Sequence, residues 1–142
     1  MNYEALKAGQ ELDTLVAEKV MGESRPEYFP EQALESQLSG NPIKSELGNW
    51  LLLCDYEEGD IPTWHPIAFS TNIAAAFLME EYIKQQGLSE RYAYNLVEIV
   101  IPGSAFGFLN RGAYEKDIFA ITHALPEHRC IAALKAAEAR HA

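Results

Sequence analysis

"AYNLVEIVIP", Ala93 to Pro102, is the stretch on which the expected fold turns. Leu96, Glu98 and Val100 alternate with Val97, Ile99 and Ile101, the period-two pattern of a strand. "DIFAITHAL", Asp117 to Leu125, repeats the pattern, with Ile118, Ala120 and Thr122 opposite Phe119, Ile121 and His123. The connection "GSAFGFLNRGAYEK" carries three glycines and suits the wide loop of an antiparallel hairpin. The spacing therefore predicts a C-terminal hairpin as the clearest part of a sheet.

Upstream, "NWLLLCDY" (Asn49–Tyr56) is a short apolar run bounded by turn residues, as in a strand buried on both faces. "TWHPIAFS" reads as extended, because Pro66 biases His65 away from the helical region. Three helices frame these strands. In "GQELDTLVAEKVMG", Leu12, Leu15, Val16 and Val20 keep helical spacing while Glu11, Asp13, Glu18 and Lys19 fall largely on other faces, and Gly22 supplies the stop. A long helix is expected from Asn72 to about Gln86, started by the caps Ser70, Thr71 or Asn72, with Ile73, Ala76, Phe77 and Ile83 as its apolar stripe and Gly87 as its end. The last helix follows Pro126, with Ile131, Leu134 and Ala137 on its packing side. Residues 23–49 are rich in Pro and Gly and read as a loop-rich insertion, with a short helix inside "PEQALESQL". The expected class is α/β: one compact α/β/α sandwich domain over residues 1–142, its modest sheet ending in the antiparallel hairpin and flanked by helices.

Composition narrows the function. The 142 residues are 48% apolar and 23% charged, which is globular and not disordered. No apolar run reaches the roughly 20 residues of a membrane span, and no secretory signal is expected from "MNYEALKAGQELD", so a cytosolic setting is the default. The net charge of −10 argues against a nucleic-acid backbone as direct partner. It permits either plain solubility or an acidic surface that occupies a basic protein. Cys54 and Cys130 match no zinc or redox spacing and read as buried thiols. The histidines His65, His123, His128 and His141 lack metal-ligand spacing, and Glu57, Glu58 and Asp60 lack that of a calcium loop, so neither a metal nor a cofactor is implied. There is no nucleophile elbow and no phosphate-binding glycine loop. A hydrolase built on Glu98 or His123 is the weakest reading, since no acid–base pair stands at an interpretable spacing.

Binding chemistry is better represented. Phe106, Phe108, Asn110 and Arg111 fall within one short loop. An aromatic ring stacks on a base, an amide reads a base edge, and a guanidinium pairs with phosphate. Arg129 and His128 stand at the start of the last helix, where an arginine beside free amides can hold an anion or pair with an internal acid. Thr71 stands at the start of the long helix, beside spare amides of its own. Trp64 and Phe69 serve either as stacking surfaces or as packing before that helix.

Three blocks, "LDTLVAEKVMG", "FSTNIAAAFLMEEYI" and "LPEHRCIAALKA", resemble those of the phage ABA-sandwich proteins, small proteins of tailed phages and prophages. That family's pattern runs L-x-x-L-V-A-E-x-V-M-G, then aromatic-S-T-[DN]-I-A-A-A-aromatic, then a Pro-led helix with I-C-x-A-A-L-K. Here the 23–49 insertion is longer than the family's, and Arg129 stands where an aliphatic residue usually precedes the cysteine. The resemblance implies a sheet between helical layers. The phage anti-Thoeris sponges are similar in size, element order and use of aromatic, asparagine and arginine side chains. They bind cyclic ADP-ribose or cyclic oligonucleotide signals without cleaving them, as symmetric oligomers. The resemblance thus implies a non-catalytic anti-defence protein of the host cytoplasm, a homo-oligomer whose partner is a cyclic-nucleotide-type small molecule. Phe106 or Phe108, Asn110, Arg111 and Arg129 would fill the sponge roles. The competing expectation is an acidic inhibitor of a host nucleic-acid enzyme.

Overall fold

Trp50–Asp55 and Ile61–Pro66 pair antiparallel, with Trp50 opposite Pro66, Leu52 opposite Trp64 and Leu53 opposite Thr63. A computed structural model of the chain describes residues 2–27, 43–55, 61–103, 105, 107 and 115–140. Within these, a 3-10 turn (Tyr3–Ala5) precedes α1 (Gln10–Leu15), which runs on into a π-helical turn (Val16–Val20). Strands β1 (Ile43–Lys44), β2 (Trp50–Asp55) and β3 (Ile61–Pro66) form one antiparallel sheet in the order β1-β2-β3. Helices α2 (Ile73–Gln85), α3 (Ser89–Val100), α4 (Glu115–Thr122) and α5 (Pro126–Arg140) complete the fold, which mixes helix and strand. None of the described helices is long and apolar enough to cross a membrane. The helix expected in "PEQALESQL" lies outside the described residues.

The sheet alternates rather than burying both faces. Trp50, Leu52, Pro62, Trp64 and Pro66 point into the core, while Leu51, Thr63 and His65 are half-buried and Leu53 is exposed. This corrects the two-faced reading of "NWLLLCDY": the apolar run hid an in-and-out pattern typical of an antiparallel ribbon. Pro62 and Pro66 fit β3 because, among the described strands, it is an edge and needs no amide on its outer side.

The expected C-terminal hairpin is absent, because Ala93–Val100 and Asp117–Thr122 are helical. Leu88, Tyr92 and Leu96 stand four apart and are all buried, with Val97 beside Leu96, so a helical stripe outweighs the local alternation. What selects helix is the partner. Helix α5 presents Cys130, Ile131, Ala132, Ala133, Leu134, Ala136 and Ala137, all buried, and packs against α3, α2, α1 and the π turn. Its alanines let neighbouring backbones come close on several sides. An extended strand could not supply the apolar stripe that α5 requires.

Helix α2 keeps its expected ends. Asn72 is the cap, its side-chain oxygen accepting from the amides of Ala74 (2.9 Å) and Ala75 (3.3 Å). Asn72→Ala is expected to cost about 1 kcal/mol, read as a lowered urea midpoint with unchanged slope. At the other end Gly87 takes φ +72, the Gly87 amide donates to Lys84 O at 3.1 Å and the Leu88 amide to Ile83 O at 3.1 Å. That is a Schellman stop, with Leu88 buried beside it. The stripe itself is shifted by about one position: Ala75, Ala76, Met79 and Ile83 are buried, whereas Ile73 and Phe77 are exposed.

Ser70 is not a cap but a tie between the first two helices. Its amide donates to Asp13 Oδ1 at 2.7 Å, and its hydroxyl oxygen accepts from the Gly9 amide at 2.9 Å. Asp13, read as outward-facing, is accordingly buried. Burial raises its carboxyl pKa above the ordinary value, with the bonds from Ser70 opposing. A second buried carboxylate, Glu23, organises the β1–β2 turn. It accepts from the Ser45 hydroxyl (2.8 Å) and the amides of Leu47 (2.7 Å) and Asn49 (3.0 Å), while the Trp50 indole donates to its backbone oxygen at 2.9 Å.

Candidate functional site

Arg129 lies in the first turn of α5, on the buried face that the apolar pattern selects, and is 5% exposed. Its Nε donates to Ala124 O (3.1 Å), and its Nη2 donates to Ile121 O (2.9 Å) and Thr122 O (3.3 Å). Nη1 donates to both oxygens of Glu80, at 3.1 and 2.9 Å. The Phe77 ring lies 5.2 Å from its Cζ, and the Tyr92 hydroxyl donates to Glu80 Oε2. The guanidinium thus caps the C-terminal end of α4 and ties α4, α2 and α5 together. Burial, then the Glu80 bond and charge, push the Tyr92 phenol far up, with Arg129 pulling the other way. Of the two roles weighed for Arg129, the internal ion pair is the one its geometry carries; every nitrogen is already engaged.

The other sequence candidates scatter. Phe106, Phe108, Asn110 and Arg111 lie outside the described residues, as do Glu57, Glu58 and Asp60. His128 is half-buried, and its Nδ1 is buried without a hydrogen-bond partner. Thr71 is exposed ahead of α2. Trp64 and Phe69 are both core residues, and the Trp64 indole donates to Glu27 O at 3.2 Å. His123 stacks on Phe119 at 4.0 Å, with its Nδ1 2.8 Å from Phe119 O. Glu98 accepts from the amides of Gly103 (2.8 Å) and Ala105 (3.3 Å), which makes it a cap for the turn after α3. Cys130 is a free buried thiol, pushed far up by burial and then by the charges of Asp13, Glu127 and Glu80, so it is a poor nucleophile. Among the described residues, no group of three His, Cys, Asp or Glu side chains is placed to hold a metal ion.

A cleft that the sequence reading missed lies where the Schellman turn meets α3 and the end of α5. It is an open cleft of about 620 Å³ lined by Gly87, Leu88, Glu90, Arg91, Tyr94, Asn95 and Ala139. Arg91, Tyr94 and Asn95 stand at i, i+3 and i+4, so one helix face presents all three. Asn95 Nδ2 donates to Arg91 O at 2.8 Å, which fixes the amide and leaves its Oδ1 as an acceptor. Among the described residues, neither the Arg91 guanidinium nor the Tyr94 hydroxyl has a partner, and Tyr94 is 40% exposed. Reading Tyr94 and Asn95 as part of a strand concealed this face; the same residues at helical spacing are the signal that reveals it.

No family model matches the chain, and no curated protein or solved structure matches it either.

Proposed function

We propose that the chain binds a small, flat, phosphorylated molecule of the cyclic-nucleotide or cyclic ADP-ribose kind and sequesters it intact, as a phage counter-defence protein acting in the host cytoplasm. The single observation behind this reading is the α3 cleft. Its volume falls in the usual range for small-ligand sites. A guanidinium with no partner among the described residues, a half-exposed aromatic ring and a fixed amide acceptor line one wall. Arg91 would pair with phosphate, Tyr94 would stack on the base, and Asn95 Oδ1 would accept from an exocyclic amine. Glu90 is suited to a sugar hydroxyl. The overall charge of −10 opposes an anion only at long range, since salt screens beyond about 8 Å under physiological conditions. Phe106, Phe108, Asn110 and Arg111 are kept as a second set for the same assay. Arg129 is not, because its nitrogens are engaged. The proposal carries with it a single sandwich-type domain and a homo-oligomeric state.

The test is retention. The protein is incubated with a panel of cyclic dinucleotides, cyclic trinucleotides and cyclic ADP-ribose forms, filtered, heated, and the released material chromatographed. Intact ligand is expected, with Arg91→Glu and Tyr94→Ala each weakening retention about tenfold or more. Retention of nothing on the panel, or release of a cleaved product, overturns the reading.

A further inference from the structure

A second open cleft, of about 480 Å³, lies where the 3-10 turn, the π-helical turn and α5 meet. It shares no lining residue with the α3 cleft. Its floor is apolar, built from the buried Leu134 and Ala137 and the buried ring of Tyr3. Leu134, Ala137 and Glu138 stand at i, i+3 and i+4, so one face of α5 presents all three. Glu18 and Lys19 come from the π-helical turn, and Gly22 from its end.

Tyr3 is the telling member. It is 4% exposed, yet its hydroxyl has no partner among the described residues. That oxygen is not sealed in, because among the described residues His128 Nδ1 is the only enclosed side-chain polar atom without a partner. The phenol end therefore opens into the cleft that Tyr3 lines. Burial, then the charge of Glu138, raises this phenol above its ordinary 10.0. It stays a neutral hydroxyl at physiological pH, with the Glu138 carboxylate close by.

We infer that this cleft holds an aliphatic primary amine, its ammonium among Tyr3, Glu18 and Glu138 and its methylene stem on the Leu134–Ala137 floor. The site is independent of what the α3 cleft binds. An alkylammonium brings three donors and no acceptor. Facing it are a phenol oxygen and two carboxylates. Glu18 has no partner among the described residues; Glu138 has one, but a carboxylate offers about four acceptor positions. The backbone adds the same sign. Gly22 follows the π-helical turn, and Ala137 and Glu138 lie in the last turn of α5, so the negative ends of two helices meet here. Lys19 is the one cation in the lining, exposed on a flexible stem, and Lys135, beside Leu134 in the chain, is paired with Glu4. The volume suits a small ligand.

Pentylamine titrated into isotope-labelled protein, followed by amide NMR, tests the site. Saturable shifts at Gly22, Ala137 and Glu138 are expected, and salt should weaken them. Pentanol, the same stem without the charge, should give none. Tyr3→Phe keeps the ring and Glu18→Gln keeps the volume, and circular dichroism confirms that both fold. Each should weaken binding about tenfold, the usual loss of one hydrogen bond to a charged group. Lys19→Gln removes the opposing charge and should tighten binding about twofold or more. Glu81→Gln makes the same charge change as Glu18→Gln at an exposed α2 position outside the cleft. It should leave binding within about twofold, which separates the site from general attraction to a chain of net charge −10. The inference is overturned by any of five results: no saturable shift, equal shifts with pentanol, binding that neither Tyr3→Phe nor Glu18→Gln weakens, an equal loss in Glu81→Gln, or a loss in Lys19→Gln. Nucleotide retention is a separate readout, so either cleft can fail its test without the other.

Discussion

Arg129→Met lowers the unfolding free energy by about 3–5 kcal/mol, the usual result of removing one member of a buried, hydrogen-bonded ion pair. Methionine fills much of the volume, so the loss is polar in origin. It leaves Glu80 without its cation and the carbonyls of Ile121, Thr122 and Ala124 without the donors that terminate α4. Against a total stability of order 5–15 kcal/mol, that shift is plain in a urea titration followed by circular dichroism. Arg129→Lys recovers little, because one ammonium can meet Glu80 but cannot also span three carbonyls. A loss below about 1 kcal/mol, typical of a surface pair, would show that the clamp is ornamental. The same cluster sets a limit on the alkaline side. The Tyr92 phenol is held above its ordinary value of 10.0. Its contribution is therefore complete below pH 10 and drains away as pH rises toward the folded value. Tyr92→Phe should remove that alkaline loss.

Glu23→Ala is expected to cost about 3–4 kcal/mol, because it strips the acceptor from the Ser45 hydroxyl and from two amides in a buried turn. Glu23→Gln, nearly isosteric, should still cost about 2 kcal/mol, since its NH2 faces donors where an oxygen stood. The acid limb of the stability profile separates this from simple packing loss. Burial alone would raise the Glu23 carboxyl, but the bonds from Leu47, Ser45 and Asn49 together outweigh it and hold the group below its ordinary 4.5. A depressed carboxyl contributes stability that is complete above pH 4.5 and lost as pH falls through the folded value. Wild type should show that loss in denaturant midpoints taken at stepped pH, and Glu23→Gln should not. Parallel profiles would rule out the carboxylate as the source.

Helices were legible where their ends are chemically marked. Gly22, Asn72, Gly87 and Pro126 bound helices close to where the spacing places them. Ala93–Pro102 and Asp117–Leu125 were misread because runs of Val, Ile and Leu satisfy both periods over a short window. The arbiter was the alanine-lined flank of α5, many residues downstream. The site failed to show for a related reason. Glu80 is an ordinary helical acid until the fold brings Arg129 to it, and the cleft-lining row of Arg91, Tyr94 and Asn95 exists only once that segment is a helix. Long-range partners decide both cases, and local pattern holds no record of them.

The π-helical turn at Val16–Val20 gives the first helix a spare residue. Its Met21 amide reaches back five positions to Val16 O, and the Glu23 amide six to Ala17 O. A wider coil rotates the chain less per residue, which offsets the drift an ordinary helix would accumulate and brings Leu12, Val16 and Val20 into one line toward the core. Contracting this coil by a single position would close it as a normal α-turn while leaving both flanks anchored, at Asp13 by Ser70 and at Glu23 by the sheet. That trade would be bought at the expense of the Leu12–Val16–Val20 line, so the extra residue serves the packing of this helix and not only its length.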